Sequence, residues 1–280
     1  MTETSLELPC GYEHNGTVIR DAEIRRMKGR VQRDIAELSG KKKTDPAEIL
    51  EAVLRPSWVG LGGQKVTKIH LLGALLADRD FLLFEMVKVL RGNVVSMTEE
   101  CPKCEETFEI FDINLAELPV TRLEDDSDWW GPQGLVKAAD VVGLGPGERS
   151  QLECRVFVLE NEELGASAVF RYPRGKEQRQ VSSLAEKPIE VMWKLMSLTC
   201  LSWKCPDHDL PQTPKGGLKM TFWDDVDYLV LEWLEEAFSA AQPGVDSSLQ
   251  ADCPNSECQH SYKTQVRALD FLFRKPQKER

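Results

Sequence analysis

Apolar residues fall at positions 24, 27, 31, 35 and 38, three or four apart, and this spacing predicts an amphipathic helix from Ala22 to Leu38. Upstream, Leu8-Pro9-Cys10-Gly11-Tyr12 leads to Asn15-Gly16, a tight-turn pair, and then Thr17-Val18-Ile19. That order reads as a small hairpin or extended arm. Gly40 and the run Lys41-Lys42-Lys43 close the first helix, as glycine and cations do at a helix C-terminus. Thr44-Asp45-Pro46 supplies a cap and a proline at the first helical position of a second helix, Ala47 to Leu54, which is expected to stop before Pro56. Gly60, Gly62 and Gly63 mark a loop.

Lys68 to Leu90 is strongly apolar and reads as helix in two pieces, broken near Ala77-Asp78-Arg79-Asp80. The second piece, Phe81 to Val87, is apolar on nearly all sides and belongs inside a helical layer. Residues 152–158 and 166–172 predict two strands around an acidic turn. A helix over 186–203 follows, then a polar loop at 205–217, a long helix from Trp223 to Ala241, and a short turn at Leu269 to Phe273 ahead of a basic tail.

Two stretches resemble each other. Asp80-Phe81-Leu82-Leu83-Phe84-Glu85 parallels Asp227-Tyr228-Leu229-Val230-Leu231-Glu232. After each comes a cysteine pair between two strand-like segments, and then an Asp/Leu-rich turn at Ile113-Asn114-Leu115 or Leu269-Asp270-Phe271. The expected fold is therefore α+β: a helical layer plus small β-hairpins carrying a split four-cysteine, zinc-ribbon-like clasp, in two pseudo-repeated halves. Residues 1–120 form the first half with the first helices and knuckle. The acidic, Trp-bearing and Gly/Pro-rich stretch 121–150 is a linker or insertion, and 151–280 is the second half.

The cysteine pairs carry the strongest chemical signal. One is Cys101-Pro102-Lys103-Cys104, the other Cys253-Pro254-Asn255-Ser256-Glu257-Cys258. Each sets two thiols on a tight turn, and together they match the four sulfur ligands of a closed tetrahedral zinc site. Strand-like residues flank both: Val94 to Met97 and Phe108 to Phe111, then Ser248 to Ala251 and Tyr262 to Val266. One structural zinc per chain would tie the two halves into one body. The competing readings are two independent cysteine pairs, or a site that has lost its metal. His260 could replace a thiolate but reads more simply as a solvated neighbour.

Composition narrows the remaining classes. In 280 residues, 35 Lys and Arg face 46 Asp and Glu, a net charge of −11, which argues against wrapping nucleic acid or adhering to an anionic membrane. No apolar run approaches the roughly 18 residues of a membrane helix, and the N-terminus lacks signal-peptide features. A cytoplasmic setting is expected, where disulfides are rare, so Cys10, Cys154, Cys200 and Cys205 read as ordinary thiols. Cys200 and Cys205 with His208 mimic a second metal site, but Trp203 and Lys204 stand between them in place of turn formers.

Catalytic constellations are thin. The four histidines are His14, His70, His208 and His260. Gly60-Leu61-Gly62-Gly63 lacks the following Lys-Ser/Thr of a P-loop, Gly143 to Gly147 reads as a flexible turn, and no nucleophile elbow occurs. Four sulfurs would fill a metal's shell and leave no open position for hydrolysis. Trp129-Trp130 is expected either to pack on the chain's own core or to meet a partner. Lys41 to Lys43 is expected to be a solvated helix end.

Taken in order, these segments resemble one family, the baseplate hub assembly proteins of contractile-tailed, T-even-type bacteriophages and related prophages. The resemblance rests on Leu8 to Tyr12 followed by Asn15 to Arg30; on Asp78 to Leu83 leading to the Cys101–Cys104 knuckle and the Asp112 to Leu118 turn; and on Cys253 to Cys258 with Gln259-His260. It covers most of the chain except roughly 120–150 and 205–220. Glu105 stands where a glycine commonly follows the first knuckle, and the second knuckle is widened. The resemblance implies a late phage protein without chemistry of its own, acting in the host cytoplasm on other baseplate, hub and tail proteins. It implies no direct nucleic acid, membrane or small-molecule partner. Such a protein either stays in the virion baseplate or acts only during assembly. The rival readings are a zinc-ribbon nucleic-acid adaptor, disfavoured by Glu99, Glu100, Glu105, Glu106, Glu109 and Asp112 around the first knuckle, and, more remotely, a zinc hydrolase.

Overall fold

A computed structural model describes residues 3–39, 45–124, 127–184, 187–206, 208–214 and 216–273. It mixes helix and sheet. Strands β1 (Glu3–His14) and β2 (Thr17–Arg25) form the N-terminal hairpin, turning at Asn15 and Gly16, both in the left-handed region. Helices α1 (Gly29–Ser39) and α2 (Pro46–Ser57) follow, then β3 (Trp58–Leu61) and β4 (Gln64–Lys65), completing an antiparallel sheet in the order β1-β2-β3-β4.

The helix expected from Ala22 thus begins later. Ala22 and Ile24 alternate as buried strand positions, paired to β1 on one side and β3 on the other, and a ladder on both sides outweighs a helical spacing that starts only at Met27. Helix α2 likewise runs through Pro56, with Asp45 Oδ1 capping the Ala47 N–H at 2.8 Å. The Lys41 to Lys43 run lies outside the described residues.

Helices α3 (Lys68–Gly73) and α4 (Leu76–Arg91) are separated at Ala74-Leu75 rather than near residue 78. Leu75 is held there by a β-bridge to Arg174. In α4, Leu82, Leu83, Phe84, Met86 and Val87 are all buried, as its all-round apolar sequence requires. The hairpin β5 (Val94–Glu100) and β6 (Thr107–Asn114) follows, then β7 (Val120–Thr121).

Residues 121–150, expected as a linker or insertion, contain β8 (Trp129–Gly131), β9 (Gly134–Val136) and two short helices, α5 (Ala138–Gly143) and α6 (Pro146–Arg149). The Gly143 to Gly147 segment therefore joins two helical turns. Trp129 is buried with Val141 and Leu152, and half-buried Trp130 packs with Cys154, Val156 and Val169; this pair belongs to the chain's own core.

Strands β10 (Cys154–Asn161) and β11 (Ala166–Arg171) pair as expected, and α7 (Gly175–Val181) follows. Helix α8 (Pro188–Thr199) is shorter than the 186–203 expected, because Cys200 opens strand β12 (Cys200–Cys205), which pairs with β11 and with β13 (His208–Leu210). The larger sheet runs β13-β12-β11-β10-β8-β9. Helix α9 (Tyr228–Ala240) starts where Asp227 Oδ1 accepts the Leu229 N–H at 2.9 Å, with a 3-10 turn in place of the expected helical start at Trp223. The chain closes with β14 (Gly244–Val245), β15 (Ser248–Asp252), β16 (Ser261–Gln265) and α10 (Ala268–Phe273).

Two large cores form, and each takes residues from the far end of the chain. The N-terminal core includes Val266, Ala268, Phe271 and Leu272 packed with Leu82, Val95, Met97 and Ile113. The other core, built on β10 to β12, α8 and α9, takes in Cys10, Leu75 and Leu123. Strands β7 and β14 pair directly, Val120 with Val245 and Thr121 with Gly244. The two hairpins that carry the cysteine knuckles are therefore set on one common body.

Candidate metal centre

Each knuckle sits at the tip of a two-stranded hairpin, β5–β6 or β15–β16. The tips close in the same way. The Cys101 N–H donates to the Glu106 carbonyl at 2.9 Å, and the Cys253 N–H donates to the His260 carbonyl at 2.9 Å. The residue after each second cysteine takes the left-handed conformation, Glu105 at φ 61 and Gln259 at φ 44. Glycine adopts that conformation without steric cost, whereas Glu105 and Gln259 carry a Cβ into it. Here a modest strain is accepted twice to bring the chain back into its second strand.

The four sulfurs converge. Cys101 Sγ lies 3.8 Å from Cys258 Sγ, and Cys104 Sγ lies 3.5 Å from Cys253 Sγ. All four lie within 4.8 Å of one another. Four thiolates placed about 2.3 Å from one zinc-sized ion at tetrahedral angles stand roughly 3.8 Å apart, so the observed spacing fits a tetrahedral metal. Cys101 and Cys253 are buried, Cys258 is half-buried and Cys104 is exposed at the rim. The Tyr262 hydroxyl donates to the Glu100 carbonyl at 3.2 Å and ties one hairpin to the other beside the cluster.

Electrostatics point the same way. Burial acts to raise the Cys101 thiol, but the N–H groups of Lys103 and Cys104 and the neighbouring thiols outweigh it and hold the group down at about 7. At Cys104 the Glu106 N–H favours the thiolate, yet desolvation and the three other sulfurs push the group up to about 12. Four anions cannot share this volume unaided. A divalent cation at the centre would remove that repulsion and let all four ionise.

His260 is not one of the clustered donors; its ring stacks on Tyr262 at a centroid distance of 5.6 Å. Cys200 and Cys205 are not among the clustered donors of the described residues, and the side chain of His208 lies outside those residues. A bulge at Leu201 in the ladder with β11 puts both cysteines on the core side of the sheet, and the Cys200 thiol donates to the Ser202 carbonyl at 3.4 Å. The buried Cys10, Cys154 and Cys200 thiols are all pushed up by desolvation, which makes them inert.

A second group of charged residues, invisible in the sequence, lies inside the body. Opposite Arg20 the register of β1 jumps from Glu7 to Tyr12, so Leu8-Pro9-Cys10-Gly11 bulges out of the ladder with Gly11 at φ 80. Arg20 donates to the Leu8, Pro9 and Leu123 carbonyls. Arg155 donates to the Cys10 carbonyl at 2.5 Å and to Glu13 at 2.9 Å, and Arg174 also pairs with Glu13. Asp78 Oδ1 accepts the Cys10 N–H at 2.8 Å. These side chains replace the backbone partners that the bulge removes.

A cleft of about 660 Å³ beside α7 is lined by Arg171, Lys176 and Thr213 among others. Arg171 there is committed to Glu177 at 3.0 Å and to the Leu198 carbonyl at 2.7 Å. Among the described residues, none lining this cleft forms a nucleophile–base pair.

The chain is thus a mixed helix-and-sheet protein bearing a cluster of four cysteines close enough together to hold a metal ion. No family model, curated protein or solved structure matches it. No helix among the described residues is long and apolar enough to cross a membrane.

Proposed function

We propose that this chain is a non-enzymatic assembly protein whose two halves are clasped by one structural zinc held by Cys101, Cys104, Cys253 and Cys258. The observation that carries the reading is the convergence, within 4.8 Å, of four sulfurs from hairpins at distant points of the chain. Zinc fits because four thiolates suit a soft-to-borderline ion and a closed tetrahedron has no coordination preference to satisfy beyond it. The similar orders α4, β5, knuckle, β6 and α9, β14, β15, knuckle, β16, which differ by the short strand β14, and the matching bonds at the tips support a pseudo-repeat in which the halves share one ion.

The segment order described above assigns the protein, within this proposal, to the baseplate hub assembly proteins of contractile-tailed phages and prophages, working in the host cytoplasm on other tail proteins. A metal already closed by four sulfurs offers no site for hydrolysis, and the acidic knuckle flank opposes a nucleic-acid role. Disrupting the gene in the encoding phage or prophage should leave heads intact and abolish complete contractile tails in electron micrographs. Rescue by wild type but not by Cys101→Ser would support the proposal; normal tails from the disrupted genome would remove the baseplate assignment. Metal content, by mass spectrometry of protein purified without chelator, tests the clasp separately. About one zinc per chain is expected, lost in Cys101→Ser.

A further inference from the structure

Between Val94 and Asn114 the β5–β6 hairpin carries six carboxylates, on Glu99, Glu100, Glu105, Glu106, Glu109 and Asp112, against one cation, Lys103. Its inner face is spent on the core through Val95, Met97 and Ile113, with Glu99 at the margin of that side, while Glu100 and Glu109 lie on the outer side and Glu105 and Glu106 at the tip. The outer face is different. Val95 pairs with Ile113 and Met97 with Ile110, so Ser96 alone faces Phe111 and Asp112 in a bulge, with Asp112 at φ 55. The bulge turns the Phe111 ring outward, where it is 62 % exposed, and Val94 on the same strand pair is 54 % exposed.

Phe111 thus lies in water next to Asp112 and two positions from Glu109, a mixed apolar and acidic surface suited to a partner. We propose that the outer face of the β5–β6 hairpin docks a basic, extended segment of a partner protein, with Phe111 as the apolar anchor and the carboxylates pairing with its lysines or arginines. Charge selects this occupant. A second copy of a chain with net charge −11 would meet like charge, and an anionic membrane or nucleic acid would be repelled. Four thiolates around a divalent ion would add about two more negative charges at the hairpin tip. The surface belongs to the hairpin alone and is independent of the baseplate assignment.

The test is fluorescence anisotropy at low salt on the full chain, with a labelled short peptide alternating lysine with valine, and with oligolysine of equal length. The alternating peptide should bind more tightly than oligolysine. Phe111→Ser should weaken it about tenfold, as loss of an anchor side chain does. The double variant Glu105→Gln, Glu106→Gln should weaken both peptides while the zinc content stays unchanged. A matched pair on the β10–β11 turn, Glu162→Gln with Glu163→Gln, should change nothing. No binding, indifference to Phe111→Ser, or equal loss in the matched control would overturn the proposal.

Discussion

Cys104 Sγ stands 3.5 Å from Cys253 Sγ across 149 positions of sequence. Neither hairpin makes this contact by itself; the pairing of β7 with β14 and the packing of α10 on α4 bring the tips together. A metal bound there would read out the docking of the two hairpins.

Metal removal should therefore act on stability. A ligand present at a hundred to a thousand times its Kd stabilises the folded state by roughly 3–4 kcal/mol. Chelation, or Cys253→Ser, should lower the Tm by on the order of 10 °C for a chain of this size. Differential scanning calorimetry with and without added zinc checks this; an unchanged Tm would reduce the knuckles to ordinary turns.

The Arg155–Glu13 ion pair is almost completely buried, with side-chain exposures of 0 % and 3 %. Arg155→Met leaves Glu13 with Arg174 alone and strips the Cys10 carbonyl of its donor. Breaking such a pair from one side costs about 3–5 kcal/mol. The midpoint of urea unfolding should fall accordingly, and a shift as small as that of an exposed ion pair would contradict the network's role.

Burial raises Asp78 to about 6, above its ordinary 3.8, and the Cys10 and Gly11 N–H groups oppose the shift without cancelling it. Because the folded protein holds this proton more tightly than the unfolded chain, Asp78 contributes stability below pH 4, and that contribution is lost as pH rises through about 6. Asp78→Asn keeps an acceptor for Cys10 but cannot titrate. Its stability relative to wild type should therefore fall by roughly 3 kcal/mol between pH 7 and pH 4, measured by urea unfolding at both. A difference constant with pH would show that Asp78 does not titrate in this range.

Two glycines in left-handed turns separate local strain from packing. A Cβ at Gly16, φ 68, would stand 1.9 Å from the Arg149 carbonyl oxygen, whereas one at Gly63, φ 75, meets nothing within 4 Å. Gly63→Ala should cost about 1–2 kcal/mol, the conformational penalty alone. Gly16→Ala should cost roughly 1–3 kcal/mol more, because the hairpin tip must move off α6. Equal losses in thermal or urea unfolding would mean that the tip contact carries no weight.

Local chemistry written in consecutive residues was readable directly. The turn at Asn15-Gly16, the cap at Asp45, the buried helix around Phe81 to Val87, the strands around residue 160 and the two knuckles depend on near neighbours, and the structure has them. What the sequence hid were the choices made by distant partners. Residues 22–25 became strand because β1 and β3 flank them; Cys200 left its helix for a ladder with β11; and Trp129 found a core. The Glu13, Asp78, Arg155 and Arg174 network has no sequence signal, since its members answer a bulge that exists only after folding. The sequence by itself determined that four thiols would be offered on two tight turns, because turn geometry is local. Only the tertiary structure decided that they meet, since bringing ligands together over some 150 residues takes a loop-closure entropy that only the packed cores can offset.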